Sequence, residues 1–238
     1  MKPYILLTPR NQSSQSDNRI MSDNESYFDF IAKAGGIPVL CGLINEEDAD
    51  EYAARFDGLL ITGGEDVDPS LYQQEPQGAG TASPDYDRND LLLYHAFCSA
   101  DKPVLGICRG IQLVGAAEGV SLIQDLPSAN YAQHEQKKMM PPLGTYDYAH
   151  EVLFEEGTSL YDIFGPQASV NSFHHQAVTQ VPEGFKLAAV SKEDHVIEAF
   201  EKENVLAVQW HPERLINDPK HFEIAYRFVG SCLLGKTR

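Results

Sequence analysis

The segment Pro103-Val104-Leu105-Gly106-Ile107-Cys108-Arg109-Gly110-Ile111-Gln112 constrains the chain more than any other. An apolar strand runs without a break into G-x-C-x-G and then into a helical pattern, which is how a nucleophile elbow is written in sequence. In such a turn the central residue is thrust out, in a strained backbone conformation, at the start of the helix. The glycines two before and two after it let strand and helix pack closely. A thiol held there meets the positive end of the helix dipole, and with Arg109 adjacent its thiolate is favoured. The bland alternative is a buried cysteine in a glycine-rich turn, because G-x-C-x-G is a short motif.

An elbow needs a sheet to project from, and the rest of the chain supplies one. Short apolar runs at Tyr4–Leu7, Ile37–Leu40, Gly58–Thr62, Val104–Ile107, His150–Leu153, Lys186–Val190, Val196–Phe200 and Val205–Gln209 read as strands alternating with helical patterns. The first four are expected to be parallel. Ser22-Asp23-Asn24-Glu25 reads as a capping box opening a helix through Tyr27, Phe28 and Ile31 that stops at Gly35-Gly36. Further helices are expected after Asn45, over Arg88–Ala100 with Leu91, Leu92, Tyr94, His95 and Cys98 at helical spacing, and over Asp218–Leu234 through Phe222, Ala225, Phe228, Val229 and Cys232. Asn11–Met21 and Pro127–Tyr148 read as irregular, and loops that long tend to be functional or mobile. No repeat and no Gly/Ser or Pro linker divides the sequence. The expected fold is therefore one α/β domain over 1–238, a three-layer sandwich with a mostly parallel central sheet and helices on both faces.

Composition removes several partners. Against 18 basic residues stand 35 acidic ones, and a formal charge of -17 repels both nucleic acid and anionic lipid. The acid excess reads as serving solubility rather than as selecting a cationic, polyamine-type leaving group. No apolar run approaches the ~18–20 residues that cross a bilayer, and Met1–Leu7 is too short for a signal-peptide core. A soluble, cytoplasmic protein is the expectation. Cys41, Cys98, Cys108 and Cys232 lie far apart with no C-x-x-C pair, so they are expected as thiols.

A thiolate nucleophile wants a histidine to carry its proton and a third group to orient that histidine. Val205-Leu206-Ala207-Val208-Gln209-Trp210-His211-Pro212-Glu213 offers both. A strand delivers His211 to its C-terminal end, where ligands collect in α/β sheets, and Glu213 can reach back to the far ring nitrogen. Alone, His-Pro-Glu is weak; its weight comes from standing with the elbow. Leu59-Leu60-Ile61-Thr62-Gly63-Gly64 is a strand ending in paired glycines whose N–H groups can face an oxyanion, joined by the amide of Arg109. Glu65, Asp66 and Asp68 follow, but without the twelve-residue spacing of an EF-hand, so no metal is expected there.

The histidines outside this pair divide into groups. His174 and His175 are adjacent and face opposite ways along an extended chain, which suits a single metal poorly, so Asn171–Gln176 reads as a substrate-contact loop. His134 and His150 are candidates for the pocket border. His95, His195 and His221 have no motif around them and read as structural or exposed.

Six collinear blocks carry a family resemblance over nearly the whole length: Ala34–Pro38, Thr62–Tyr72, Pro103–Gln112, Gln124-Asp125-Leu126, Val170–Val178 and Val208–Glu213. The chain resembles a class I glutamine amidotransferase-type hydrolase, in the gamma-glutamyl-gamma-aminobutyrate hydrolase branch. Asp66-Val67-Asp68-Pro69 and Asn171-Ser172-Phe173-His174-His175-Gln176 narrow the match to that branch. The resemblance implies the class I amidotransferase-like, flavodoxin-like form of the expected fold. It implies a Cys108–His211–Glu213 triad, an oxyanion held by the Gly64 and Arg109 amides, and a pocket lined by Gly63, Gln112, Ser172, Phe173 and His174. It implies a small gamma-glutamyl substrate, no cofactor and no metal. Nucleic acid and membrane are not expected as partners; a homodimer is the candidate assembly, with oligomeric state otherwise open.

The chain departs from the family pattern at Arg88-Asn89, Gly115-Ala116, Gly119-Val120 and Asp194-His195, none of which touches the triad. Two other functions stay open: a glutaminase subunit that passes ammonia to a separate synthase, and a non-catalytic small-molecule binding module on the same fold.

Overall fold

The computed structural model describes residues 1–13 and 19–234. In chain order its elements are β1 (Tyr4–Leu7), β2 (Arg10–Ser13), β3 (Arg19–Ser22), α1 (Glu25–Lys33), β4 (Ile37–Leu40), α2 (Ala49–Arg55), β5 (Gly58–Ile61), α3 (Pro84–Ser99), β6 (Val104–Ile107), α4 (Arg109–Ala117), β7 (Leu122–Ile123), β8 (His150–Phe154), α5 (Ser159–Phe164), β9 (Gln167–Val170), β10 (Ala177–Val178), β11 (Lys186–Ser191), β12 (Ile197–Lys202), β13 (Val205–Val208) and α6 (Pro219–Leu234).

Side-chain alternation along the short apolar strands dictates the layers. Ile5, Leu7, Leu60, Leu105 and Ile107 pack on one face of the sheet against Tyr27, Phe30 and Ile31 of α1 and Ile224, Ala225 and Phe228 of α6. Their neighbours Leu6, Leu59, Ile61 and Val104 face the other way, against Leu93, Tyr94 and Phe97 of α3 and Ile111 and Val114 of α4. Strands buried on both faces must be covered on both, and the three-layer α/β arrangement follows.

Among the described residues the main sheet has nine strands, in the order β4-β1-β5-β6-β13-β12-β11-β8-β9. The first five are parallel, including the four expected to be so, and the strands from β12 onward add antiparallel. Crossovers to α3 and α4 lie between β5, β6 and the rest, so the C-terminal ends of β5, β6 and β13 open on one edge. Two small ladders, β7 with β10 and β2 with β3, stand apart.

Several expected elements differ in detail. Ser22 cannot cap a helix because it pairs with Arg10 in the β2–β3 ladder; α1 starts later, with Asn24 as N-cap and no side-chain cap bond. The polar stretch Asn11–Met21 is thus partly strand, its residues 14–18 lying outside the described residues. Helix α3 starts at Pro84 rather than Arg88, and its buried face differs from the one expected. Asp87, Asn89, Asp90, Leu93, Tyr94 and Phe97 are buried, whereas Leu91 and Leu92 are half-buried and His95 is exposed. The physical reason is Arg109: both aspartates turn inward to meet its guanidinium. Strands β7, β9 and β10 were not expected; two of them are two residues long, and β9 buries only Val170 fully.

All four cysteines are thiols. Among the described residues no helix is long and apolar enough to cross a membrane. Pro127–Tyr148 remains irregular apart from a short helical turn at Gln136–Lys138.

Candidate active site

Cys108 stands between β6 and α4 with φ +55° and ψ -106°, a backbone conformation that L-residues avoid. The elbow glycines explain how it is held there. A Cβ on Gly110 would lie 2.4 Å from the carbonyl oxygen of Ile61 in β5, and one on Gly106 would lie 2.9 Å from the backbone of Gly110. Helix α4 can therefore start against the sheet only if both positions lack side chains.

His211 follows β13, the strand hydrogen-bonded to β6 with Val208 beside Ile107, so the two side chains leave neighbouring strands at the same end. The amide of Cys108 donates to the carbonyl of Val208 at 2.9 Å, which locks the elbow to β13. Gly63, at the end of β5, is the meeting point. A Cβ there would be 2.8 Å from Cε1 of His211 and 3.3 Å from Cβ of Cys108. The structure thus brings the cysteine and histidine together across a hundred residues of sequence.

Glu213 completes the group, its Oε1 accepting from Nδ1 of His211 at 2.7 Å. Both side chains are buried. Burial disfavours the imidazolium, but the Glu213 carboxylate and the Cys108 sulfur outweigh it and lift His211 to about 9. The backbone of His211 is gripped by Asn171, whose side-chain amide donates to its carbonyl and accepts from its N–H. Phe173 sets its ring edge-on to His211 at 5.5 Å, and the Arg214 guanidinium covers Phe173 at 4.2 Å.

The residues expected to hold an oxyanion occupy different surroundings. Arg109 is the first residue of α4, so its amide is among those without an intrahelical acceptor. Its guanidinium is committed elsewhere, to Asp87 and, at 2.6 Å, to Asp90. Gly64 is exposed, whereas the amide of Gly63 donates to the hydroxyl of Tyr27 at 2.8 Å. The same hydroxyl lies 3.4 Å from Nδ1 of His211.

Arg10 is a residue that the sequence reading missed. Its side chain lies over Gly64, where an added Cβ would meet the guanidinium, and it is only 13% exposed. Among the described residues Nε and Nη2 are buried without a hydrogen-bond partner, while Nη1 lies 3.5 Å from Asp90. Beside it, burial raises Asp23 to about 6 against the opposing pull of Arg10. A buried guanidinium with two unanswered donors at the mouth of the site suits a carboxylate.

The remaining expected contacts are built into the walls. Gln112 is buried and donates to the Gln176 carbonyl at 3.1 Å and to the Gln209 side chain at 3.3 Å. Ser172 is fully buried and binds the long loop, its amide donating to Gln136 Oε1 at 2.7 Å and its hydroxyl to the His134 carbonyl. His175 turns the opposite way from His174, to Asp66 at 3.1 Å and Asp125 at 3.2 Å, and its hydrogen bond to the Asp66 carboxylate raises it to about 9. Asp66 therefore has a partner, and Asp68 caps the turn Pro69–Tyr72 through the Ser70 amide. His221 is buried in the core, and His95 and His195 are exposed.

His134 and His150 gather with His174 around Glu198 of β12. His150 donates to Glu198 Oε1 at 3.0 Å. Burial, and then the neighbouring His174 ring, hold His134 at about 4, so that ring is neutral. A cleft of about 610 Å³ opens beside Glu213 and Arg214 and is walled on the loop side by Lys137, Thr145 and Tyr146. A second hollow, of about 670 Å³, lies at the opposite ends of β6 and β13, bordered by Val104 and Val205, away from Cys108.

Comparison with known proteins shows the family of the chain. The profile of the peptidase C26 family matches residues 6–213. YvdE of Lactococcus lactis subsp. lactis (strain IL1403), provisionally named glutamine amidotransferase-like, is 34% identical over 215 residues, covering 88% of this chain and 89% of that one. Gamma-glutamyl-gamma-aminobutyrate hydrolase PuuD of Escherichia coli (strain K12) is 31% identical over 202 residues, covering 79% of this chain and 77% of that one. A provisionally assigned GMP synthase component from Thermoplasma acidophilum superposes with a TM-score of 0.66 over 100% of this chain and 97% of that one; at 16% identity this shows the fold alone. With its profile spanning the elbow, the glycine pair and the histidine strand, the chain belongs to the peptidase C26 family, among the class I glutamine amidotransferase-like hydrolases.

Proposed function

We propose that this chain is a cysteine-dependent hydrolase that cleaves the gamma-glutamyl amide bond of small gamma-glutamyl amines, releasing glutamate and the amine. The observation that carries this reading is the placement of His211 between Cys108, across Gly63, and Glu213 at 2.7 Å. That is the order of nucleophile, proton carrier and orienting carboxylate that acyl transfer requires. The name of the Escherichia coli relative supports the choice of gamma-glutamyl-gamma-aminobutyrate as the type substrate.

In the proposed reaction the Cys108 sulfur attacks the gamma-carbonyl carbon while His211 holds the proton. The tetrahedral oxyanion lies against the amides of Gly64 and Arg109, and the amine departs with the proton from His211. The gamma-glutamyl thioester left on Cys108 is then cleaved by water that His211 deprotonates, which frees glutamate and restores the thiol. Glu213 keeps the Nδ1 proton of the ring in place throughout. Arg10 meets the alpha-carboxylate of the glutamyl group, which satisfies its two unanswered donors.

A hydrolysis panel tests the proposal: gamma-glutamyl-gamma-aminobutyrate, other gamma-glutamyl amines and glutamine, each with wild-type protein and Cys108→Ala. Turnover of the amines that vanishes in the variant supports it. Full hydrolysis by Cys108→Ala would overturn it. Glutamine as the best substrate, with activity rising on addition of a synthase, would make the chain an ammonia-delivering subunit instead.

A further inference from the structure

We infer that this chain holds a divalent transition-metal ion, of Zn²⁺ type, between Nδ1 of His134, Nε2 of His174 and a carboxylate oxygen of Glu198. The three ligand atoms lie within 4.8 Å of one another. Their residues are 2%, 3% and 0% exposed, and among the described residues His134 Nδ1, His174 Nε2 and Glu198 Oε2 have no hydrogen-bond partner.

The outer nitrogens of both rings are already assigned. Nε2 of His134 faces Asp194 Oδ2 at 3.1 Å, and Nδ1 of His174 faces the Gln176 carbonyl at 2.9 Å. Each partner is an acceptor, so each outer nitrogen carries the ring proton and each inner nitrogen presents a lone pair. Two lone pairs and a carboxylate thus converge in a buried space, where His150 answers Glu198 Oε1 and, among the described residues, nothing answers Oε2. Such a convergence repels itself unless a cation occupies its centre.

Spacing favours a metal ion over a shared proton. His134 Nδ1 and His174 Nε2 stand 3.5 and 3.7 Å from Glu198 Oε1, too far for good N–H···O hydrogen bonds. Two ligands each ~2.1 Å from a tetrahedral ion lie about 3.4 Å apart, close to the two histidine-to-Oε1 separations. The outer contacts have the form that ligating histidines show, one ring N–H to a carboxylate and one to a backbone carbonyl. His150, donating to Glu198 Oε1 at 3.0 Å, orients the third ligand in the same manner. Two imidazoles and one carboxylate suit Zn²⁺ and also Fe²⁺, and disfavour Ca²⁺ and Mg²⁺.

The ion would tie three separate pieces together: the long loop through His134, the segment after β9 through His174, and the sheet through Glu198. The loop also walls the cleft beside Glu213, and Phe173, next to His174, packs on His211. Its role is that of a clamp on the wall of the site, not a participant at the sulfur, and it stands independently of the proposed substrate.

The test strips the full chain with a chelator, then titrates Zn²⁺ calorimetrically and counts metal in the desalted protein, with Fe²⁺ under anaerobic conditions as a second arm. Wild type, Cys108→Ser and His175→Gln are expected to take up one equivalent per chain. His134→Gln and Glu198→Gln are expected to bind at least about 100-fold more weakly, since loss of even an outer partner costs 10–100-fold. Bound metal should also slow proteolysis within residues 127–148. Folded wild-type protein that binds neither ion at micromolar concentrations overturns the inference. So does binding that persists in His134→Gln but vanishes in Cys108→Ser, because the ion would then sit on the thiol and His211.

Discussion

The side-chain amide of Asn171 grips the backbone of His211 from both sides, at 2.8 Å to the carbonyl and 2.8 Å to the N–H. The imidazole is therefore aimed by a residue forty positions away that holds its backbone. Asn171→Ala should leave two buried backbone groups unanswered, at about 1–3 kcal/mol each. Misplacement of the ring by about 1 Å should lower kcat on the order of 100-fold with KM little changed. Steady-state kinetics and a thermal melt check both effects, and an unchanged kcat would show that the ring needs no such guide.

The pH dependence of stability follows from His211. Its charged form is favoured in the folded chain, at about 9 against an ordinary value of about 6.5. The group contributes fully below about pH 6.5, and its contribution is lost as pH rises through about 9. Glu213→Gln removes the strongest favourable cause, so the decline in stability across this window should flatten, and kcat should fall by about 10²–10⁴-fold. Denaturant titrations at several pH values, wild type against variant, measure the difference. Parallel curves would exclude Glu213 as the group that holds the charge.

Strain at the elbow is measurable without substrate. Cys108 occupies φ +55°, where a residue without Cβ has no penalty. Cys108→Gly should therefore be more stable than Cys108→Ala by about 1 kcal/mol, which is roughly 2–4 °C in Tm for a chain of this size. Both variants should be inactive. Equal melting temperatures would mean that the turn stores no strain.

Two glycines should respond in opposite directions. Gly110→Ala drives a methyl to 2.4 Å from the Ile61 carbonyl and should unfold the chain or displace α4. Gly230→Ala, inside α6 with none of the described residues within 4 Å of the added carbon, should stabilise by about 0.5–1 kcal/mol. Thermal melts of the pair decide, and a well-folded Gly110→Ala protein would refute the close approach of α4 to β5.

Arg10 should act on binding. A charge-assisted hydrogen bond to a carboxylate contributes about 1.5–3 kcal/mol, so Arg10→Ala should raise KM for gamma-glutamyl amides about 10–100-fold. An analogue without the alpha-carboxylate should be cleaved equally by both proteins. If the variant loses the same factor on that analogue, Arg10 is not the carboxylate partner.

What was legible in the sequence was local. Cys108, Gly106 and Gly110 announce themselves because a strand, a sharp turn and a helix fall within ten residues, and His211 and Glu213 because they close a strand. What was hidden depends on contacts between distant positions. Tyr27 reads as one more apolar residue of α1, yet its hydroxyl meets Gly63 and His211. Arg10 lies in a polar stretch with no pattern, and only the fold places it over Gly64. The buried face of α3 is hidden in the sequence because Asp87 and Asp90 look like solvent-facing residues until Arg109 is placed between them. His134 and Glu198 come from a loop and a strand that share no motif, so their convergence on His174 has no linear signature.

The strand at the centre of the main sheet is also the last to be made. β13 separates β4-β1-β5-β6 from β12-β11-β8-β9, and without it each half presents an open, unpaired edge. A nascent chain leaving the ribosome thus exposes two sticky borders until residue 208 has emerged, and its sulfur waits without a proton acceptor until His211 follows. Translation arrest or premature termination before Val205 should yield aggregation-prone fragments that carry the thiol but none of its reactivity.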